Sequence, residues 1–423
     1  MKNEDLPTVD SPAHPTQEES RRTVRRRSFL KGMGVAGAAL TTGALLNSQL
    51  FAAEESSGSL TAGDAAILRF LAAAEIIESD LWLQYAELGG VQDAELPLLA
   101  SQLIPGYPNT ITGGSSLYTA ALTQLDSDMA QYIHDNTEDE LTHENFINHY
   151  LASKGADTVS LDTFRTLPSS KATGAQQIGR ITNLMQLTVD TSWWTRYRSR
   201  AGNPDLGDTF SNAIPTLGVH RHTAIPRTDD DVKPDPTKPM NISDFAQAIA
   251  NTAGFHFAFI EQGGSSLYPQ LAQRVTSPEV LRILLSIGGT EITHFQTWHD
   301  KAGNAPQLTD VIDPVTKVKV SFPSGAQLTA MGEDFQPNLI MPEPTYFLSA
   351  NFPVCSIIRP TATKNAAKAA LKSFIDDGLF IGQTADFHAY LRDPHHDPRG
   401  AHRKPKQAGL LRAAMLRRPL ARR

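Results

Sequence analysis

Between residues 64 and 88 apolar side chains recur at Ile67, Leu71, Ala74, Leu81, Tyr85 and Leu88, mostly three and four apart. That period predicts an amphipathic helix, ended by Gly89-Gly90. A Pro/Gly-rich connection runs to about 116. The helical period then returns through Met129, Ile133, Ile147 and Leu151 and closes at Gly155. A third stretch, roughly 174–199, also reads as helix, with Ile178, Ile181, Leu184, Leu187, Trp193 and Trp194 as its apolar positions. Residues 200–240 read as loop. Ser243 is placed to cap a helix running to about 262, the pattern resumes after Gly263-Gly264, and Ser277-Pro278-Glu279 opens another long helix through 300. Strand-like alternation at Val318, Val320 and Phe322 predicts a small hairpin, and two further helices, about 363–376 and 380–391, precede a basic tail.

The expected organisation is therefore all-α: a four-helix bundle over 64–303 with a crossover insertion of about 156–242, an extension of hairpin, loops and helices over 304–391, and the tail 392–423. Residues 1–53 stand apart. Arg26-Arg27 followed by Ser-Phe-Leu-Lys matches a twin-arginine export signal, and Gly32 to Leu46 is a weakly apolar run too short to span a bilayer. Cleavage near Ala52 or Ala53 is expected, with the twin-arginine translocase as a partner and the periplasm as the destination. That route carries folded proteins, which suits a metal acquired before export.

The sole cysteine, Cys355, excludes a disulfide framework, a CxxC redox pair and Cys-rich metal modules. Any metal must be held by His and carboxylates. The net charge of −7 hides an asymmetry: residues 1–31 carry 7 basic and 5 acidic side chains and 391–423 carry 10 and 2, leaving 21 basic and 38 acidic in 32–390. A body at −17 repels a phosphate backbone, so nucleic acid is not expected as a partner. The Arg-rich tail could touch an anionic membrane surface weakly, although its composition favours disorder.

Two Glu-x-x-His motifs, Glu140–His143 and Glu291–His294, interrupt apolar helical stripes, and of 13 histidines only these two have Glu three residues earlier. That spacing puts both side chains on one face. Burying such groups costs several kcal/mol unless a cation offsets it. Glu78 and Glu261 also lie on apolar stripes, each with a tyrosine two turns on, Tyr85 and Tyr268; Glu75, one turn before Glu78, is the alternative to it. The order Glu, Glu-x-x-His, Glu, Glu-x-x-His is that of dinuclear carboxylate sites in four-helix bundles, and six ligands with four negative charges suit two Fe or two Mn ions.

On these residues, with Asp139-Glu140-Leu141-Thr142-His143-Glu144 and Glu261-Gln262-Gly263-Gly264, the chain resembles the ferritin-like superfamily, and within it the exported bacterial proteins related to desiccation-associated proteins. The resemblance covers about 64–155 and 243–303. It implies metal ligation by Glu78, Glu140, His143, Glu261, Glu291 and His294, bridging by Glu140 with Glu261 or Glu291, and a catalytic part for Tyr85 and Tyr268 beside the metals. The implied activity is oxidation of Fe(II) or reduction of dioxygen or peroxide; the alternative is a metal-free scaffold for envelope stress protection, and a homo-oligomer fits either.

Other signals carry less. His134, His149, His256 and His299 read as satisfied helix residues, and Trp193-Trp194 as core. The hexapeptide Gly-Gly-Ser-Ser-Leu-Tyr, at 113–118 and again at 263–268, suggests a duplicated unit. No Walker-type loop or G-x-S-x-G elbow is present.

Overall fold

The computed structural model describes residues 58–196, 208–358 and 366–392; the segment 1–53 expected to be an export signal and the tail beyond Arg392 lie outside them. Ten helices and two small sheets follow in order: α1 Ala62–Gly89, α2 Glu95–Leu103, α3 Ser116–Leu122, α4 Met129–Ser153, α5 Trp193–Arg196, α6 Asp244–Ala272, α7 Pro278–Gly303, β1 Leu308–Ile312, β2 Lys319–Phe322, α8 Gly325–Met331, β3 Pro344–Thr345, β4 Cys355–Ser356, α9 Ala366–Asp376 and α10 Ala385–Arg392.

The four long helices pack in two pairs, α1 on α4 and α6 on α7, and their facing stripes form the core. Side-chain caps set the starts of α1, α6 and α7. The hydroxyls of Thr61, Ser243 and Ser277 accept from the amides of Asp64, Ala246 and Val280. Asp64, fully buried, also accepts from the amides of Thr276 and Ser277 at 2.9 and 3.1 Å, so the first turn of α1 is tied to the turn between α6 and α7. In the centre Trp82 of α1 stacks on Trp298 of α7 at 5.2 Å between ring centroids and on Phe257 of α6 at 4.9 Å. All three rings are buried, and truncating such a tryptophan costs about 3–5 kcal/mol.

The helix expected over 174–199 is not formed; only the four residues of α5 are helical among those described. Ile181, Leu184 and Leu187 are buried as their pattern demands, but their backbone belongs to a covering segment. The amides of Ile181 and Thr182 donate to Asp80 Oδ2 at 3.0 and 2.9 Å, that of Asn183 to the Leu379 carbonyl, and Leu187 bridges to His222. These partners replace the i→i−4 ladder. Arg165 and Arg180 complete the anchorage with buried ion pairs to Asp80 and Glu87 of α1.

Two further expectations change. Helix α6 does not pause at Gly263-Gly264 but runs through them and through Pro269. The hexapeptide echo also has no structural counterpart. Gly113 and Gly114 take φ of +84° and +68° in a loop before α3, whereas Gly263 and Gly264 are helical; Tyr118 donates to the Ala224 carbonyl, and Tyr268 to a carboxylate. The expected hairpin is β1–β2, with Val311 opposite Val320, and β3–β4 is a second, two-residue pair. No helix among the described residues is long and apolar enough to cross a membrane.

Candidate metal centre

Each long helix of the bundle sends carboxylates to its middle: Glu75 from α1, Glu140 from α4, Glu261 from α6 and Glu291 from α7, all buried. The helical spacing of three carries His143 and His294 to the same level. Two groups result, Glu75–Glu140–His143–Glu291 and Glu140–Glu261–Glu291–His294, and within each the possible ligand atoms lie within 4.8 Å of one another. The groups share Glu140 and Glu291. Each keeps one further carboxylate and one imidazole of its own.

Five of the six sequence-derived ligands are thus brought together, namely Glu140, His143, Glu261, Glu291 and His294. Glu78 belongs to neither group, and Glu75 stands in its place. Tyr85, two turns after Glu78, does not reach the centre: its hydroxyl bonds His256 Nδ1 at 2.7 Å, and its ring packs edge-on against Phe257. Tyr268, by contrast, donates its hydroxyl to Glu75. The tyrosine that meets the α1 carboxylate comes from α6, and nothing in the local spacing of α1 reports it.

Neighbouring side chains hold the carboxylates in place. Asn136, one turn before Glu140, donates to Glu140 Oε1 at 2.9 Å and Glu261 Oε1 at 3.0 Å, and its own oxygen accepts the Trp298 indole N–H at 2.6 Å. His143 Nδ1 lies 3.1 Å from Glu140, 3.4 Å from Glu291 and 3.5 Å from Glu75. His294 Nδ1 lies 3.0 Å from Glu140 and 3.2 Å from Glu261, while its Nε2 meets Asp139 at 3.0 Å. Asn136, Trp298 and Asp139 carry no motif of their own; only their helical phase relative to Glu140 and Glu291 could have pointed to them.

One glycine is required by close approach. A Cβ on Gly264 would sit 2.1 Å from Glu291 Oε2, so the helix α6 gives up a side chain where α7 brings its carboxylate in. Gly264 and Glu78 also line a cavity of about 380 Å³ with Ile77, Phe259, Leu267 and Phe374.

The electrostatics are those of a site short of positive charge. Burial pushes Glu75 up to about 7, against the pull of His143. Burial, and then the charge of Glu140, lift Glu78 and Glu291 well above the carboxylate range. Glu261 is raised by burial too. Glu140 goes the other way: burial opposes its ionisation, but His143 and His294 hold it below its ordinary value. The two imidazoles are raised in turn, burial being overcome for His143 by Glu140 and for His294 by Glu261. Glu75 Oε2, Glu78 Oε1 and both oxygens of Glu291 are buried without a hydrogen-bond partner. Orphaned carboxylate oxygens in low dielectric are costly unless they meet a cation. The donor set therefore fits metal ions. With neutral imidazoles, the four shared and terminal carboxylates balance two divalent ions.

A comparison of the chain with protein families matches the ferritin-like domain over residues 63–303. The protein belongs to the ferritin-like domain family. No curated protein and no solved structure matches it.

Proposed function

We propose that this protein is an exported ferritin-like oxidoreductase with a dinuclear Fe or Mn carboxylate centre, which oxidises Fe(II) or reduces dioxygen or peroxide. The observation that carries the reading is the pair of four-ligand groups joined through Glu140 and Glu291, with both Glu291 oxygens buried and without a hydrogen-bond partner. Glu75 and His143 would hold one ion, Glu261 and His294 the other, and Glu140 and Glu291 would bridge. Two such ions supply redox equivalents and open coordination positions for the oxidant.

The chain's own residues do the rest. Asp139 accepts a hydrogen bond from the Nε2–H of His294, which leaves Nδ1 as the ligating nitrogen, and Asn136 fixes one oxygen of Glu140 and one of Glu261. Tyr268 orients Glu75 and is a proton donor beside the site. Tyr85 is bonded to His256 and takes no part in this chemistry. The mostly apolar cavity at Glu78 and Gly264 offers a small oxidant a way in while limiting water.

The twin-arginine signal at 1–53 supports export to the periplasm, and a homo-oligomer and weak tail–membrane contact remain part of the proposal. Elemental analysis of protein from its native compartment, beside Glu140→Gln, tests the centre. About two Fe or Mn per chain, lost in the variant together with peroxide or Fe(II) turnover, is the expected result. A wild-type protein that neither contains nor takes up either metal would return the chain to the metal-free scaffold.

A further inference from the structure

A second grouping of ligand-type side chains lies on the outer face of α4, where α2 packs against it. His134 is only 4% exposed, and around it stand Asp93 from the turn before α2, Glu95 at the start of α2, and Asp135 and Glu138 from α4. His134 Nε2 lies 3.4 Å from Asp93 Oδ1, a carboxylate already anchored by the Glu95 amide at 2.9 Å. His134 Nδ1 is buried with no hydrogen-bond partner and faces Asp135 Oδ1 at 3.5 Å. The possible ligand atoms of His134, Asp135 and Glu138 lie within 4.8 Å of one another.

The arrangement repeats that of His294. There Nε2 meets the carboxylate of Asp139, and Nδ1 turns to the carboxylates of the centre. A neutral ring that donates its Nε2–H to an anchored carboxylate presents a lone pair at Nδ1. In that tautomer the His134 Nδ1 lone pair faces Asp135 Oδ1, an oxygen that also accepts from Gln131 Nε2 at 2.7 Å, and two acceptors in contact are unfavourable without a cation between them. We infer that His134 Nδ1, Asp135 and Glu138 form an outer site for a divalent first-row cation, Mn(II) or Fe(II), with His134 oriented by Asp93. One imidazole and two carboxylates suit such ions, and the acidic body attracts them.

Equilibrium dialysis of the full chain against Mn(II), counted by EPR and elemental analysis, tests the site, with circular dichroism to confirm folding. The wild type should hold three Mn(II) per chain, His134→Gln and Glu138→Gln two each, and Glu140→Gln should keep the outer ion after losing the inner pair. That last variant separates this inference from the reading of the centre. Equal occupancy in the wild type, His134→Gln and Glu138→Gln would overturn it, leaving His134 as a buried ring held by Asp93 alone.

Discussion

The Tyr268 hydroxyl donates to Glu75 across 193 positions of sequence, joining α6 to the α1 carboxylate of the centre. This contact separates two glutamates that lie one turn apart on the same helix. Glu75→Gln should lower metal affinity and reduce the bound metal below two ions per chain, whereas Glu78→Gln should keep two. Metal content after dialysis distinguishes them, and loss of metal in Glu78→Gln with retention in Glu75→Gln would reverse the assignment.

Gly264 and Gly263 make a matched pair for a second measurement. An alanine at 264 meets Glu291 at 2.1 Å, so Gly264→Ala should displace that carboxylate, weaken metal binding and destabilise the chain by about 1–3 kcal/mol. Gly263 has nothing within 4 Å of a built Cβ, and Gly263→Ala should be neutral or stabilise the helix by about 0.5–1 kcal/mol. Denaturant titrations of both variants, with and without Mn(II), read the difference; equal effects would remove the packing argument.

Stability should respond to pH in opposite ways with and without metal. Glu75 and Glu144 are raised by burial from 4.5 to about 7, and Asp377 in the turn after α9 rises from 3.8 to about 7 for the same reason. Groups raised in the folded state contribute most below their unfolded values, and the contribution is lost as pH climbs through the folded values. The metal-free protein should therefore lose stability between about pH 4 and 7, by roughly 2–4 °C in Tm per kcal/mol. Metal binding requires deprotonated carboxylates, so affinity should rise over the same range. Thermal melts from pH 5 to 8 with chelator and with Mn(II) test this, and a metal-free Tm that increases with pH would contradict it.

Asn136 is the hub between Trp298 and two carboxylates of the centre. Asn136→Ala leaves a buried indole N–H and two carboxylate oxygens without their partner, which costs about 1–3 kcal/mol for each unsatisfied group. Metal affinity should fall about 10–100-fold, the scale on which outer partners of metal ligands act. Calorimetric titration with Mn(II) provides the reading, and unchanged affinity would mean that Asn136 serves packing alone.

Much of this protein is written in local periodicity. The four bundle helices, the Ser caps of α6 and α7 and the two Glu-x-x-His pairs follow from spacings of three and four and from hydroxyl-to-amide bonds within one turn. Those interactions depend on neighbours in sequence, and the sequence states them directly. What the tertiary structure decided depends on distant neighbours. The segment 174–190 has helical spacing, yet its amides go to Asp80, Leu379 and His222, because covering the bundle offers its backbone better partners than its own carbonyls do. The choice of Glu75 over Glu78, the turn of Tyr85 toward His256, and the close approach of Gly264 to Glu291 all arise where one helix meets another. Within a helix the period fixes which side chains share a face; which of them touches a partner is fixed only by how the helices pack.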